Sequence, residues 1–273
     1  MDGFEGEGMK KDSVIRIISV VAAATAVFSA WKLAAWFIGG AREAREFDEL
    51  TQLVDRDRAG QQPDAALQEA PAGGTEAPQE RQVLPEYAEA HGMNGDLFGW
   101  LRIEGTKIDY PVMHTPEDGQ YYLHRSFKKS RTDSGTPFLD ERCREGCGNY
   151  LIYGHRMNNG SMFGVLPDYE DPAFREAHAT IAFDTLYARG EYTVLAAFYC
   201  KLLPEGEPGF RYYEYTDLTD PAVFEEYLAQ VREAAAYDTG VTAEYGDELI
   251  TLSTCSRHDA EERFVVVAVK KAA

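Results

Sequence analysis

The run "DELITLSTCSRHDAEERFVVVAVK", residues 247–270, decides how this chain is read. From Leu249 to Cys255 apolar and small polar residues alternate. Leu249, Thr251, Ser253 and Cys255 share one face, and Ile250, Leu252 and Thr254 the other. After a polar loop the pattern resumes, with Arg263, Val265, Val267 and Val269 set against Phe264, Val266 and Ala268. Two such runs predict neighbouring strands, with Cys255 at the rim of the first and Arg263 opening the second. If they pair, the loop returns Arg263 to the end of the sheet that carries the thiol. A guanidinium there eases thiol ionisation and can donate hydrogen bonds to a developing oxyanion.

Working outward, six more segments have the same texture: "GWLRI" (99–103), "IDYPVM" (108–113), "GTPFLD" (135–140), "NYLIYGH" (149–155), "TIAFDT" (180–185) and "GEYTVLAAFYCKLL" (190–203). Eight short strands divided by turns predict a mainly β domain, a closed or nearly closed barrel with helical insertions. The insertions are "LPEYAEAHGMN" (84–94), "MFGVLPDY" (162–169) with its extension, and "DPAVFEEYLAQVREAAA" (220–236). In the last, Asp220 is the expected N-cap and Pro221 sits in the first turn.

Among the six histidines, His155 stands apart because it ends an apolar strand, as Cys255 does. His258 lies in a charged loop where solvation accounts for it, and His178 falls at a helix-to-strand junction. A strand-end His and a strand-end Cys roughly a hundred residues apart suit a Cys/His site assembled from distant strands.

A formal net charge of −19 over 273 residues excludes a general nucleic-acid grip, which needs a basic face. Residues 17–38, "IISVVAAATAVFSAWKLAAWFI", carry Lys32 as their one charge and predict a transmembrane anchor. The rival is a cleaved signal peptide ending near "ATA" (24–26), although the apolar run continues past it. The expected layout is a cytoplasmic N-terminus (1–16), the anchor (17–38), a helical stalk and flexible linker (39–82) and a folded domain (83–273). The 41–56 stretch looks helical, and the Pro/Ala/Gly/Gln-rich residues after it read as a tether. Cys200 is expected to pack as a small hydrophobe. Cys143 and Cys147 read as part of a polar loop, free or bridged, and no neighbouring ligands complete a zinc site.

"LSTC" followed by a strand-opening Arg, "YGH" ending an earlier strand, "GWLRIEGTKIDYPVM" and "YLIYGHRMNNGSMFGVLPDY" together resemble a class B sortase. The resemblance covers about Val83 to Val269. It implies an eight-stranded β-barrel with N-terminal helices and a helix inserted before the strand leading to the cysteine. It implies a membrane-anchored cysteine transpeptidase of Gram-positive bacteria, single-pass, with an extracellular catalytic domain. The implied reaction cleaves a C-terminal sorting signal of a secreted protein after threonine, through a thioester. The acyl group then passes to an amine of the cell-wall peptidoglycan precursor, lipid II. By motif position Cys255 is the nucleophile, His155 the general acid/base and Arg263 the oxyanion-stabilising residue. Ser253, Thr254, Tyr122 and Leu123 are candidate substrate contacts. No cofactor or metal is implied, and the sequence has no Gly-rich phosphate loop. Where some class B enzymes have an acidic residue two positions after the cysteine, this chain has Arg257, so no third catalytic carboxylate is assigned. Three alternatives stand beside this reading: a pilin-polymerising class C sortase, a cell-wall cysteine endopeptidase and a tethered binding module. The endopeptidase families usually place Cys before His, the reverse of the order here.

Overall fold

β-branched and aromatic alternation, broken by Gly- and Asp-rich turns, produces all eight expected strands. They are β1 Leu97–Arg102, β2 Asp109–Met113, β3 Phe138–Leu139, β4 Asn149–Tyr153, β5 Thr180–Thr185, β6 Glu191–Lys201, β7 Leu249–Cys255 and β8 Glu262–Lys270. They close into one barrel in the order β1-β2-β3-β4-β7-β8-β6-β5. The β2–β3 and β4–β7 pairs are parallel, and the others are antiparallel. The computed structural model describes residues 5–59, 81–204, 206–256, 259 and 261–271, with backbone only at 5–15, 33 and 35–38.

Among the described residues the chain forms four α-helices: α1 Glu5–Ala59, α2 Pro85–Met93, α3 Pro172–Ala177 and α4 Pro221–Ala234. In α4, Phe224, Tyr227, Leu228 and Val231 are buried at i, i+3, i+4, i+7 spacing, the apolar stripe of a packed helix. Asp220 caps it as expected, its Oδ1 accepting from the N–H of Ala222 at 2.7 Å. The 162–169 stretch does not form the expected helix. Gly164 closes a turn on Ser161, Pro167 follows, and the chain makes a 3-10 turn, Leu166–Glu170, before α3.

The chain divides into two compact units, Met1–Phe47 and Asp48–Ala273. The second begins well before Val83, because Leu50 and Val54, one helical turn apart, are fully buried in it. Arg58 of the same helix donates to the Tyr87 hydroxyl, which donates in turn to Asp184 Oδ2 at 2.5 Å. Most of the expected linker, residues 60–80, lies outside the described residues.

In the first unit the expected anchor is part of α1, and here the sequence reading needs correction. Among the described residues no helix is long and apolar enough to cross a membrane. The single-pass membrane location is therefore not supported.

The odd-numbered face of β7 points out of the barrel, where α4 and a 3-10 turn, Tyr212–Glu214, cover it. Two hydroxyl pairs make the contact, Tyr227 with Thr251 and Tyr212 with Ser253, each at 2.7 Å and buried. The proton order of the first is fixed. Asn149 Nδ2 donates to the Tyr215 carbonyl, so Asn149 Oδ1 is left to accept from Thr251, and Tyr227 must donate to Thr251. Thr251→Val should cost about 1–3 kcal/mol by stranding buried partners, read as a lower urea midpoint. A loss under about 0.5 kcal/mol would show that the pair carries no net stability.

Candidate active site

Strand register assembles the site. In the parallel β4–β7 pair Tyr153 stands beside Ser253, and the Gly154 N–H donates to the Ser253 carbonyl at 3.2 Å. Both strands end at one edge of the barrel, so His155, two residues beyond Tyr153, and Cys255, two beyond Ser253 and the last residue of β7, emerge together. In the antiparallel β7–β8 pair Cys255 is directly opposite Arg263. All three side chains line one cleft of about 380 Å³, a volume suited to a short peptide segment. Cys255 is exposed at its edge, and His155 and Arg263 are half-buried.

Backbone contacts hold the imidazole. Its Nε2 lies 2.8 Å from the Leu123 carbonyl. A carbonyl only accepts, so Nε2 carries the proton and Nδ1 remains for exchange. Two glycines permit this placement. A Cβ on Gly154 would come within 2.7 Å of the Phe163 ring, whose own N–H donates to the His155 carbonyl. Gly135, at φ +62°, passes so close to the Leu123 carbonyl that a Cβ would stand 2.4 Å from its oxygen. Burial lowers the His155 pKa below its ordinary 6.5, and the His124 imidazole, stacked at 5.2 Å, pushes it the same way against the Leu123 hydrogen bond.

The same cleft has a fixed polar wall. Asp140 takes the Arg142 guanidinium in a two-point grip, at 2.9 and 3.0 Å, and also accepts from the Tyr153 hydroxyl at 3.0 Å. Burial opposes ionisation of Asp140, but Arg142 outweighs it and holds the carboxyl below the usual range. Arg142 also donates to the Tyr213 carbonyl, tying this wall to the turn that carries Tyr212. Burial raises the pKa of Tyr212, so its hydroxyl stays protonated beside Ser253.

Of the expected substrate contacts, Ser253, Thr254 and Leu123 line the cleft. Tyr122 does not. It is fully buried behind the cleft, accepting from Asn94 and donating to Asp96 at 2.7 Å each. Thr254 Oγ1 is buried without a hydrogen-bond partner among the described residues. Cys200 packs as expected, with its thiol on the Phe210 carbonyl, and burial pushes it up to about 11. His178 bonds the Glu104 carbonyl away from the cleft. Arg257 and His258 lie outside the described residues. Sequence reasoning missed Asp140, Tyr153, Tyr212 and His124. The aromatic run "RYYEY" and the acid closing "PFLD" were the available signals. Among the described residues no His, Cys, Asp or Glu cluster is placed to hold a metal.

A thiol, an imidazole and a guanidinium at one rim of a closed barrel define a cysteine acyltransferase-type site, and the comparisons agree. The sortase domain family matches residues 101–271. Sortase B of Listeria monocytogenes is 34% identical over 192 residues, covering 69% of this chain and 75% of that protein. Sortase B of Staphylococcus aureus is 28% identical, covering 69% and 76%. The structure of a Staphylococcus aureus sortase B–substrate complex superposes with a TM-score of 0.71 at 24% identity, covering 86% of this chain and 99% of that one. The chain belongs to the sortase family of cysteine transpeptidases. Within it, the chain is a class B sortase.

If neutral His155 is the competent form, activity falls as acid protonates it. The acid limb of kcat/KM should therefore have its midpoint below 6.5. His124→Asn removes a repelling neighbour and should move that limb to higher pH, and an unmoved limb would mean that the stack does not tune His155. Gly135→Ala should cost about 1–2 kcal/mol from left-handed strain alone and lower kcat by displacing the Leu123 carbonyl. Unchanged kcat in the folded variant would show that this carbonyl does not position the ring.

Proposed function

We propose that this chain cleaves a C-terminal sorting signal of secreted proteins after threonine and joins the new carboxyl end to an amine of lipid II. The supporting observation is the convergence of Cys255, His155 and Arg263 on one cleft through strand register. Kinship to a sortase B solved as a substrate complex adds to it.

The thiol of Cys255 attacks the threonine carbonyl while Nδ1 of His155 takes its proton. As the carbonyl oxygen gains charge, the Arg263 guanidinium donates hydrogen bonds to it. His155 then returns the proton to the departing amide nitrogen, leaving a thioester on Cys255. The incoming amine attacks this thioester, His155 accepts its proton, and the thiol is released. One amide is exchanged for another, so the cycle is nearly balanced and needs no nucleotide. Ser253 is held by Tyr212, and its role is to fix the wall.

Incubation of a sorting peptide with and without an amine acceptor separates transfer from hydrolysis. A thioester adduct should appear on Cys255 by mass spectrometry, and acceptor should divert product from acid to amide. Cys255→Ala should lose both, and turnover in that variant would remove the nucleophile assignment. Arg263→Lys keeps the charge but loses the planar fork, and should lower kcat/KM about 10²–10³-fold. An undiminished rate would exclude Arg263 as oxyanion donor.

A further inference from the structure

The connection between β3 and β4, "DERCREGCGN" (140–149), folds as two successive turns. The Cys143 N–H donates to the Asp140 carbonyl at 3.0 Å, and the Cys147 N–H to the Arg144 carbonyl at 3.1 Å. These turns bring two cysteines together that are four residues apart. Both are free and buried. Both also donate to one acceptor, the Asn149 carbonyl, at 3.4 Å from Cys143 and 3.2 Å from Cys147. A third donor, the Leu151 N–H, points at Cys143 Sγ at 3.4 Å.

We infer that Cys143 and Cys147 form a second thiol site, separate from Cys255, that closes reversibly into an intrachain disulfide by exchange with a small-molecule disulfide. A cysteine acting only as a small hydrophobe, as Cys200 does in β6, needs no sulfur neighbour. Here both thiols reach one carbonyl oxygen across a tight turn, which holds the two sulfurs on the same side of it.

The two thiols are chemically unequal. The neighbouring Cys143 and the Arg144 backbone lower the Cys147 pKa against the cost of burial. Cys143 is pushed up by the same contact and by burial. Cys147 thiolate therefore attacks one sulfur of the small disulfide and expels a small thiolate. Cys143 then loses its proton, and its sulfur displaces the second small thiol from the mixed disulfide. Two protein thiols and one small disulfide become one protein disulfide and two small thiols. Closure removes both S–H donations to the Asn149 carbonyl, which favours the open form and keeps the bond reducible. Asn149 opens β4 and its side chain holds Thr251 of β7, so the site lies at the opposite ends of both strands from His155 and Cys255. The inference stands independently of the transfer reaction.

The test uses the full chain with Cys255→Ala, so that the catalytic thiol is silent. The folded protein is treated with oxidised glutathione, acid-quenched, alkylated in denaturant and mapped by mass spectrometry. Cys143 and Cys147 should leave the alkylated pool together, joined in a species lighter by two hydrogens, while Cys200 stays alkylated. Dithiothreitol should restore both without denaturant. In a second variant that adds Cys143→Ser, Cys147 should retain a stable glutathione adduct. The inference is overturned if Cys143 and Cys147 remain alkylated as Cys200 does, or if a stable adduct forms in the parent. An unmodified Cys147 in the folded second variant would overturn the order of attack.

Discussion

In β4 and β7 the chain runs in the same direction, Asn149 beside Leu249 and Tyr153 beside Ser253, and the site follows from that pairing. Parallel neighbours finish at the same edge, so the residues at or just past each strand end are brought together by backbone hydrogen bonds. His155 and Cys255 are a hundred residues apart in sequence yet share a rim for this reason. An antiparallel neighbour begins where its partner ends, which delivers Arg263 opposite Cys255. Three reactive groups are thus held by sheet register, with only Gly154 between β4 and the imidazole-bearing residue.

Such a pairing is stable only if the outer face of β7 is shielded as well as the inner one. α4 provides the cover, but the face it meets carries Thr251 and Ser253 rather than aliphatic residues. Each hydroxyl is met by a tyrosine hydroxyl, and Asn149 completes the first pair. Buried polar groups matched in this way cost little and admit few alternative alignments. A one-residue slip of β7 would set Leu252 and Thr254 against Tyr227 and Tyr212 and carry Cys255 off the rim.

The strands were legible in the sequence because β-branched alternation and turn residues are local signals. Asp220 was legible as a cap for the same reason. The trio came from strand-end placement together with family resemblance, and its convergence depends on a long-range parallel pairing that no local pattern encodes. The same limit explains Tyr122. Its place beside Leu123 suggested a shared surface, but in a 3-10 turn neighbouring side chains diverge, and Tyr122 turns inward to Asn94 and Asp96. Leu50 and Val54 were read as part of a stalk because helical periodicity shows that a face is apolar but not what buries it. Gly135 gave no sign of its closeness to the Leu123 carbonyl, since that approach is a tertiary fact.

The adjacency of His155 and Cys255 is tested most directly by following alkylation of Cys255 with iodoacetamide against pH, in the wild-type chain and in His155→Gln. Neighbouring groups should give the wild type a reactivity step at mildly acidic pH that reports imidazole protonation, and the variant should lack it. Superimposable profiles would mean that the imidazole does not sense the thiol, and the register-built site would be contradicted.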